Sequence, residues 1–137
     1  MNDNKKMNPK PLIAVVDDDS SLRESTQLLL RSAGYRAEVF ASAREFLDSP
    51  QLDATACLIL DVRMPGMDGF ELQRFLNGAQ RQIPIIFITA HATENEEESA
   101  RKAGAVDFLR KPVNDEKLLN AIQTALTGWK NDERTRR

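Results

Sequence analysis

Five short apolar runs alternate with segments of helical periodicity along this chain, and that alternation restricts the fold more than any single residue does. The runs are Leu12–Val16, Tyr35–Phe40, Ala56–Leu60, Ile83–Ile88 and Ala105–Leu109. All but the partly alternating second one are nearly continuous in apolar character, which suits strands buried on both faces. Leu22, Thr26, Leu29, Leu30 and Ala33 recur at helical spacing after Ser20 and Ser21, the expected caps, and Gly34 suits the position after the helix end. Ser42 is placed to cap a short helix through Leu47, which Ser49-Pro50 breaks. A third helix is expected over about Phe70–Gly78. Glu94–Ala103 is acidic early and basic late, the order that complements a helix dipole, and Gly104 stops it. Asn114 is placed to cap a last helix carrying Leu118, Leu119, Ile122, Ala125 and Leu126, with Trp129 a further candidate. Strand and helix thus alternate five times. The prediction is an α/β fold, a five-stranded parallel sheet flanked by helices on both faces and joined by right-handed crossovers.

A chain of 137 residues fits one domain with a real core. The expected division is a flexible arm over 1–11, the domain over 12–127, and a basic tail or the start of a linker over 128–137. A net charge of −2 gives no general attraction to nucleic acid or membrane. No apolar stretch approaches the ~20 residues of a membrane span, and the N-terminus lacks the apolar core of a signal peptide. Nothing resembles a recognition helix, so no DNA binding is expected of this chain alone. The single cysteine, Cys57, excludes an internal disulfide, reads as a small buried core residue and is compatible with a cytoplasmic location.

Four of the five runs end in polar groups: Asp17 and Asp18 after the first, Asp61 at the third, Thr89 after the fourth and Lys111 after the fifth. In a parallel sheet these ends share one edge, where open α/β sheets place their chemistry. Carboxylates gathered there repel one another, which a divalent cation relieves. Oxygen-only ligands select a hard ion, and Mg²⁺ held by one or two carboxylates commonly completes its shell with phosphate oxygens. A carboxylate can attack phosphorus and carry an acyl phosphate. Such transfer needs positioning and charge neutralisation, which Mg²⁺, the Lys111 ammonium and the Thr89 hydroxyl can supply.

Each residue alone has a plainer reading. Asp17–Asp19 could be a solvated turn and helix cap, Asp61 a structural residue before a turn, Thr89 a loop residue and Lys111 a surface lysine. Their joint placement at strand ends is what favours chemistry. His91 reads as an incidental exposed histidine, Glu94–Glu98 as a solvated helix start, and Phe108 on its own as core.

Val15-Val16-Asp17-Asp18, Leu60–Gly69 (LDVRMPGMDG), Ile88-Thr89-Ala90 and Lys111-Pro112 together resemble the receiver domain of two-component response regulators, over about Leu12 to Leu126. Asp-Val-Arg-Met-Pro and the run Lys102–Phe108 are similar to the FixJ-like subgroup. The resemblance implies a flavodoxin-like fold with strand order 2-1-3-4-5. It implies that Asp61 accepts a phosphoryl group from the phosphohistidine of a sensor histidine kinase. It further implies that Asp18, Asp61 and the Arg63 backbone carbonyl hold Mg²⁺, with Asp17 acting through water. Lys111 would contact the phosphoryl group, the Lys111–Pro112 bond would be cis, and Gly69 would open the third helix. Thr89 and Phe108 would be a switch pair, the ring turning inward as Thr89 moves toward the phosphoryl group. A downstream effector or an attached output domain, such as one controlling transcription, would read the change, and phosphorylated copies could pair.

One departure stands out. Glu94, Glu96, Glu97 and Glu98 fill the first turns of the fourth helix, leaving only Ala100 and Ala103 as an apolar face. That helix is expected to be short or mobile, and pairing through it impaired or moved elsewhere. Three rivals are weaker. A Mg²⁺-dependent phosphatase with an aspartyl intermediate usually wants a second aspartate near the nucleophile, where Arg63 stands. A mononucleotide binder would need a glycine-rich loop after the first strand. A scaffold without chemistry would not need every chemical position intact.

Overall fold

The computed structural model describes residues 10–135, with side chains for residues 10–127. The arm before Lys10 and the side chains of Trp129 and of the basic tail lie outside the described residues.

Five strands, β1 (Leu12–Val16), β2 (Arg36–Phe40), β3 (Thr55–Asp61), β4 (Ile85–Thr89) and β5 (Asp107–Arg110), form one sheet. Its order is β2-β1-β3-β4-β5 and every pairing is parallel. The helices are α1 (Ser20–Ser32), α2 (Ala43–Leu47), α3 (Gly69–Gly78), α4 (Glu94–Lys102) and α5 (Asp115–Thr135), with a 3₁₀ turn at Leu52–Ala54. This is the predicted flavodoxin-like arrangement.

Side chains leave a strand alternately to its two faces, so the central runs fill two cores at once. Ala14, Val16, Leu58, Leu60, Ile85 and Phe87 pack on one face with Phe46 of α2, Leu72 and Leu76 of α3 and Ala100 of α4. Ile13, Val15, Cys57, Ile59, Ile86 and Ile88 pack on the other with Leu30 of α1 and Leu118, Ile122 and Leu126 of α5. A strand with two buried faces has no polar face to alternate, which is why β1, β3 and β4 are legible as apolar runs. Burial pushes the Cys57 thiol up to about 12, so it stays protonated and inert.

The boundaries differ from expectation for local reasons. At the end of α1, Gly34 takes φ +96°, its N–H donates to the Arg31 carbonyl, and the Tyr35 N–H reaches back to that of Leu30. This paired closure uses Tyr35, so β2 starts at Arg36. The same closure after α4 runs from Ala105 N–H to the Ala100 carbonyl, and β5 starts at Asp107 rather than Ala105. Pro84 has no N–H for the ladder, and β4 starts at Ile85. The cap of α1 is Asp19, not Ser20 or Ser21: its carboxylate accepts from the N–H groups of Ser21 and Leu22. Ser42 and Asn114 do cap α2 and α5.

Candidate functional site

The site lies at the carboxyl edge between β1 and β3, where the strand order reverses. Val16 pairs with Leu60 and Asp61 with Ile88, so Asp17 and Asp61 leave adjacent strands at the same level. Thr89 follows Ile88 at the end of β4. The Lys111 N–H donates to the Thr89 carbonyl at 2.8 Å, which sets the start of the Lys111–Pro112 turn beside them. That peptide bond is cis, as expected.

Asp17 is fully buried, Asp61 is 4% exposed and Asp18 faces solvent. One carboxylate oxygen from each lies within 4.8 Å of the others. Asp17 Oδ1 accepts from the Asp19 N–H at 2.9 Å. Lys111 Nζ lies 3.0 Å from Asp17 Oδ2 and 3.5 Å from Asp61 Oδ2. The first contact is an ion pair outside hydrogen-bond geometry. Among the described residues, Asp17 Oδ2 is thus the buried side-chain polar atom left without a hydrogen bond.

Three carboxylates and one ammonium leave a net excess of negative charge. Burial, then Asp17 and Asp18, push the Asp61 carboxyl up to about 6, against the opposing pull of Lys111. Burial by itself would lower the Lys111 ammonium, but Asp17 and Asp61 overcome it and its pKa is raised. A buried Asp17 oxygen whose one close partner is the Lys111 ammonium, and an Asp61 carboxyl pushed upward, both fit a site built to take a further cation. The donors are oxygens only, the set that suits a hard metal ion.

The elements around the cluster fix its entrance. The Gly69 N–H donates to the Val62 carbonyl at 2.9 Å, and a Cβ at Gly69 would run into the Asp61 carbonyl oxygen. Close approach of α3 to the end of β3 therefore demands glycine here; a left-handed backbone does not. Asp68 and Glu71 form a reciprocal capping box that opens α3.

Thr89 is buried, and its hydroxyl donates to the His91 carbonyl at 2.9 Å while accepting from the His91 N–H at 3.1 Å. Phe108 is already inward, its ring 5.6 Å from that of Phe87 and 6.4 Å from that of Phe70. The His91 side chain stays exposed. A residue that the sequence reading passed over also belongs to the surroundings. Glu96, read as part of a solvated helix start, accepts from Arg63 with both carboxylate oxygens at 2.8 and 2.7 Å. Its place in a Thr-x-x-Glu capping box was legible; its partner 33 residues earlier was not.

The sequence signature of the family described as "Response regulator receiver domain" matches residues 13–123. Nodulation protein W of Bradyrhizobium diazoefficiens is 47% identical over 116 residues, covering 85% of this chain and 51% of that protein. The transcriptional regulatory protein FixJ of the same organism is 41% identical over 120 residues, covering 88% and 58%. The solved structure of the response regulator StyR superposes with a TM-score of 0.86 at 45% identity, covering 93% of this chain and 65% of that one. The chain spans about half the length of the curated relatives it matches. With the parallel sheet of order 2-1-3-4-5, the acidic cluster at its carboxyl edge and these matches in agreement, the chain belongs to the response regulator receiver domain family, a signalling switch rather than a conventional enzyme, in the company of FixJ and nodulation protein W.

Proposed function

We propose that this chain is phosphorylated on Asp61, with Mg²⁺ bound beside it, and passes the change to an output element through the loop and helix that follow β4. The observation that carries this reading is the carboxylate trio Asp17, Asp18 and Asp61 with Lys111 between two of them. An Asp61 carboxylate oxygen forms an O–P bond as the P–N bond of a kinase phosphohistidine breaks, and the electron pair leaves with the imidazole. Asp18, Asp61 and the Arg63 backbone carbonyl would hold Mg²⁺, with Asp17 reaching it through water. Bound there, the ion supplies positive charge to the phosphoryl oxygens. Lys111 Nζ, now shared between Asp17 and Asp61, supplies a second cation. Thr89 supplies a hydroxyl once it gives up the His91 carbonyl. Phe108 already lies inward against Phe87, so the expected inward turn of its ring has no part in this reading and Thr89 is the residue that moves.

The partner class follows from the family, a histidine kinase upstream and an output domain or effector downstream. The length of the relatives supports an attached domain, and the name of the transcriptional regulatory protein FixJ supports a transcriptional output. A cytoplasmic setting goes with such partners; among the described residues no helix is long and apolar enough to cross a membrane. Pairing of phosphorylated copies through α4 would face its four glutamates with a second set, so another surface is the better candidate.

Incubation with Mg²⁺ and a small acyl-phosphate donor is expected to add one phosphoryl group by intact mass, and chelation of Mg²⁺ to prevent it. No adduct with any donor would remove the phosphoacceptor reading and leave a scaffold. Asp18→Asn is expected to weaken Mg²⁺ binding by about tenfold or more, since a charged ligand is worth at least ~1.4 kcal/mol. Calorimetric titration checks this, and unchanged affinity would move the metal elsewhere.

A further inference from the structure

We propose that the Arg63–Glu96 ion pair is a brake that holds α4 in its resting position and sets how readily the site accepts a phosphoryl group. The inference rests on the phosphoacceptor reading of Asp61 and adds a regulatory contact to it. Glu96 is a positioning residue here, acting through Arg63 and Thr93.

Arg63 stands in the loop leaving β3, two residues after Asp61, and its Nη2 donates to both oxygens of Glu96. Glu96 Oε1 also accepts from the Thr93 N–H at 3.0 Å, and Thr93 Oγ1 accepts from the Glu96 N–H at 3.1 Å. One carboxylate therefore joins the acceptor loop to the first turn of α4. That end is otherwise held by the buried Ala92 just before the cap and by the Glu97–Arg110 ion pair at 3.8 Å. The one buried side chain of α4 is Ala100, in its second half. Gln73 Nε2 donates to the Ala100 carbonyl and Asn77 Nδ2 to that of Ala103, both at 3.1 Å. The C-terminal end of α4 is thus tied to α3 by two side-chain amides and works as a pivot, while its N-terminal end is tied to the acceptor loop by charge.

The link from the site to the brake is short. Thr89 is bonded to His91 at both its hydroxyl and its acceptor position. A Thr89 hydroxyl that turns to a phosphoryl oxygen must release the His91 carbonyl, and only Ala92 lies between His91 and the cap residue Thr93. Movement of this loop pulls on Thr93 and so on Glu96. A contact made in the resting position and lost in the phosphorylated one opposes phosphorylation by its own free energy, and phosphorylation weakens the contact by the same factor.

The test is titration of Mg²⁺-loaded protein with beryllofluoride, a phosphoryl mimic, read by the amide NMR signals of residues 89–96. Glu96→Gln keeps the capping box, because glutamine at this position can still accept from the cap N–H, but removes the charge. It is expected to bind beryllofluoride about two- to fivefold more tightly, the scale of a well-formed exposed ion pair. Arg63→Gln should give the same gain and the double variant no more. Raising NaCl from about 20 to 500 mM should bring the wild type toward Glu96→Gln. Wild-type affinity in Glu96→Gln, or weaker, overturns the brake while leaving the phosphoacceptor reading intact. A wild-type protein that binds no beryllofluoride overturns both.

Discussion

Asp61→Asn is expected to lose all phosphorylation and, without divalent cations, to be more stable than the wild type at pH 7.5. The second outcome follows from crowding. Burial and the neighbouring Asp17 and Asp18 push the Asp61 carboxyl up to about 6 despite Lys111. A raised carboxyl pKa means that the folded protein holds this proton more tightly than the unfolded chain does. Below about pH 4 both states are protonated and the site costs nothing. As pH rises from about 4 to 6 the unfolded chain gives up its proton first, and stability is lost. Above about 6 the full penalty remains. Held against a usual carboxyl value of about 4, this amounts to about 3 kcal/mol; screening by solvent at the open rim reduces it to about 1–2 kcal/mol. Asparagine has no charge to penalise, and Lys111 keeps Asp17 as a partner. The melting temperature at pH 7.5 should rise by about 3–8 °C, with the gain vanishing near pH 4. Mg²⁺ should then stabilise the wild type more than the variant. A lower melting temperature for Asp61→Asn in chelator at pH 7.5 would contradict the crowded-carboxylate account.

Among the described glycines, Gly69→Ala carries the steric clash with the largest expected penalty. Its Cβ would collide with the Asp61 carbonyl oxygen and sit 3.1 Å from Val62 Cα. Both obstacles are backbone atoms at the end of the central strand, held by the Gly69 N–H to Val62 carbonyl bond and by Val62 N–H to the Ile88 carbonyl. Neither can rotate away as a side chain could. Either α3 retreats from the sheet or the loop after β3 shifts, at about 2–4 kcal/mol. Gly78 supplies the contrast: it lies in the last turn of the same helix with nothing near its Cβ position. Gly78→Ala should stabilise by about 0.5–1 kcal/mol. Urea unfolding of the two variants checks the pair, and equal stabilities would contradict the close approach of α3.

The sheet was legible because β1, β3 and β4 are buried on both faces and are written as apolar runs. The site was legible because parallel strands bring Asp17, Asp61, Thr89 and Lys111 to one edge whatever their separation in sequence. The details that escaped depend on competition between neighbours. Tyr35 and Ala105 look like strand residues and close helices instead. Ser20 looks like a cap, but Asp19 reaches the free N–H groups first. The acidic start of α4 suggested a weakly packed helix. It is short, with Ala100 as its only buried residue, yet polar ties hold both ends. Glu97 adds to them by pairing with Arg101 and Arg110. Arg63 and Glu96 meet only in three dimensions, and no local pattern announces that contact.

In the proposed function one carboxylate, Asp61, carries the phosphoryl group. Protein phosphorylated with an acyl-phosphate donor and Mg²⁺ can be reduced with borohydride, which converts an aspartyl phosphate to homoserine, and then digested and sequenced by tandem mass spectrometry. Homoserine at position 61 alone is the predicted result. Homoserine at position 17 or 18, or a phosphoryl group found on His91 instead, would contradict it.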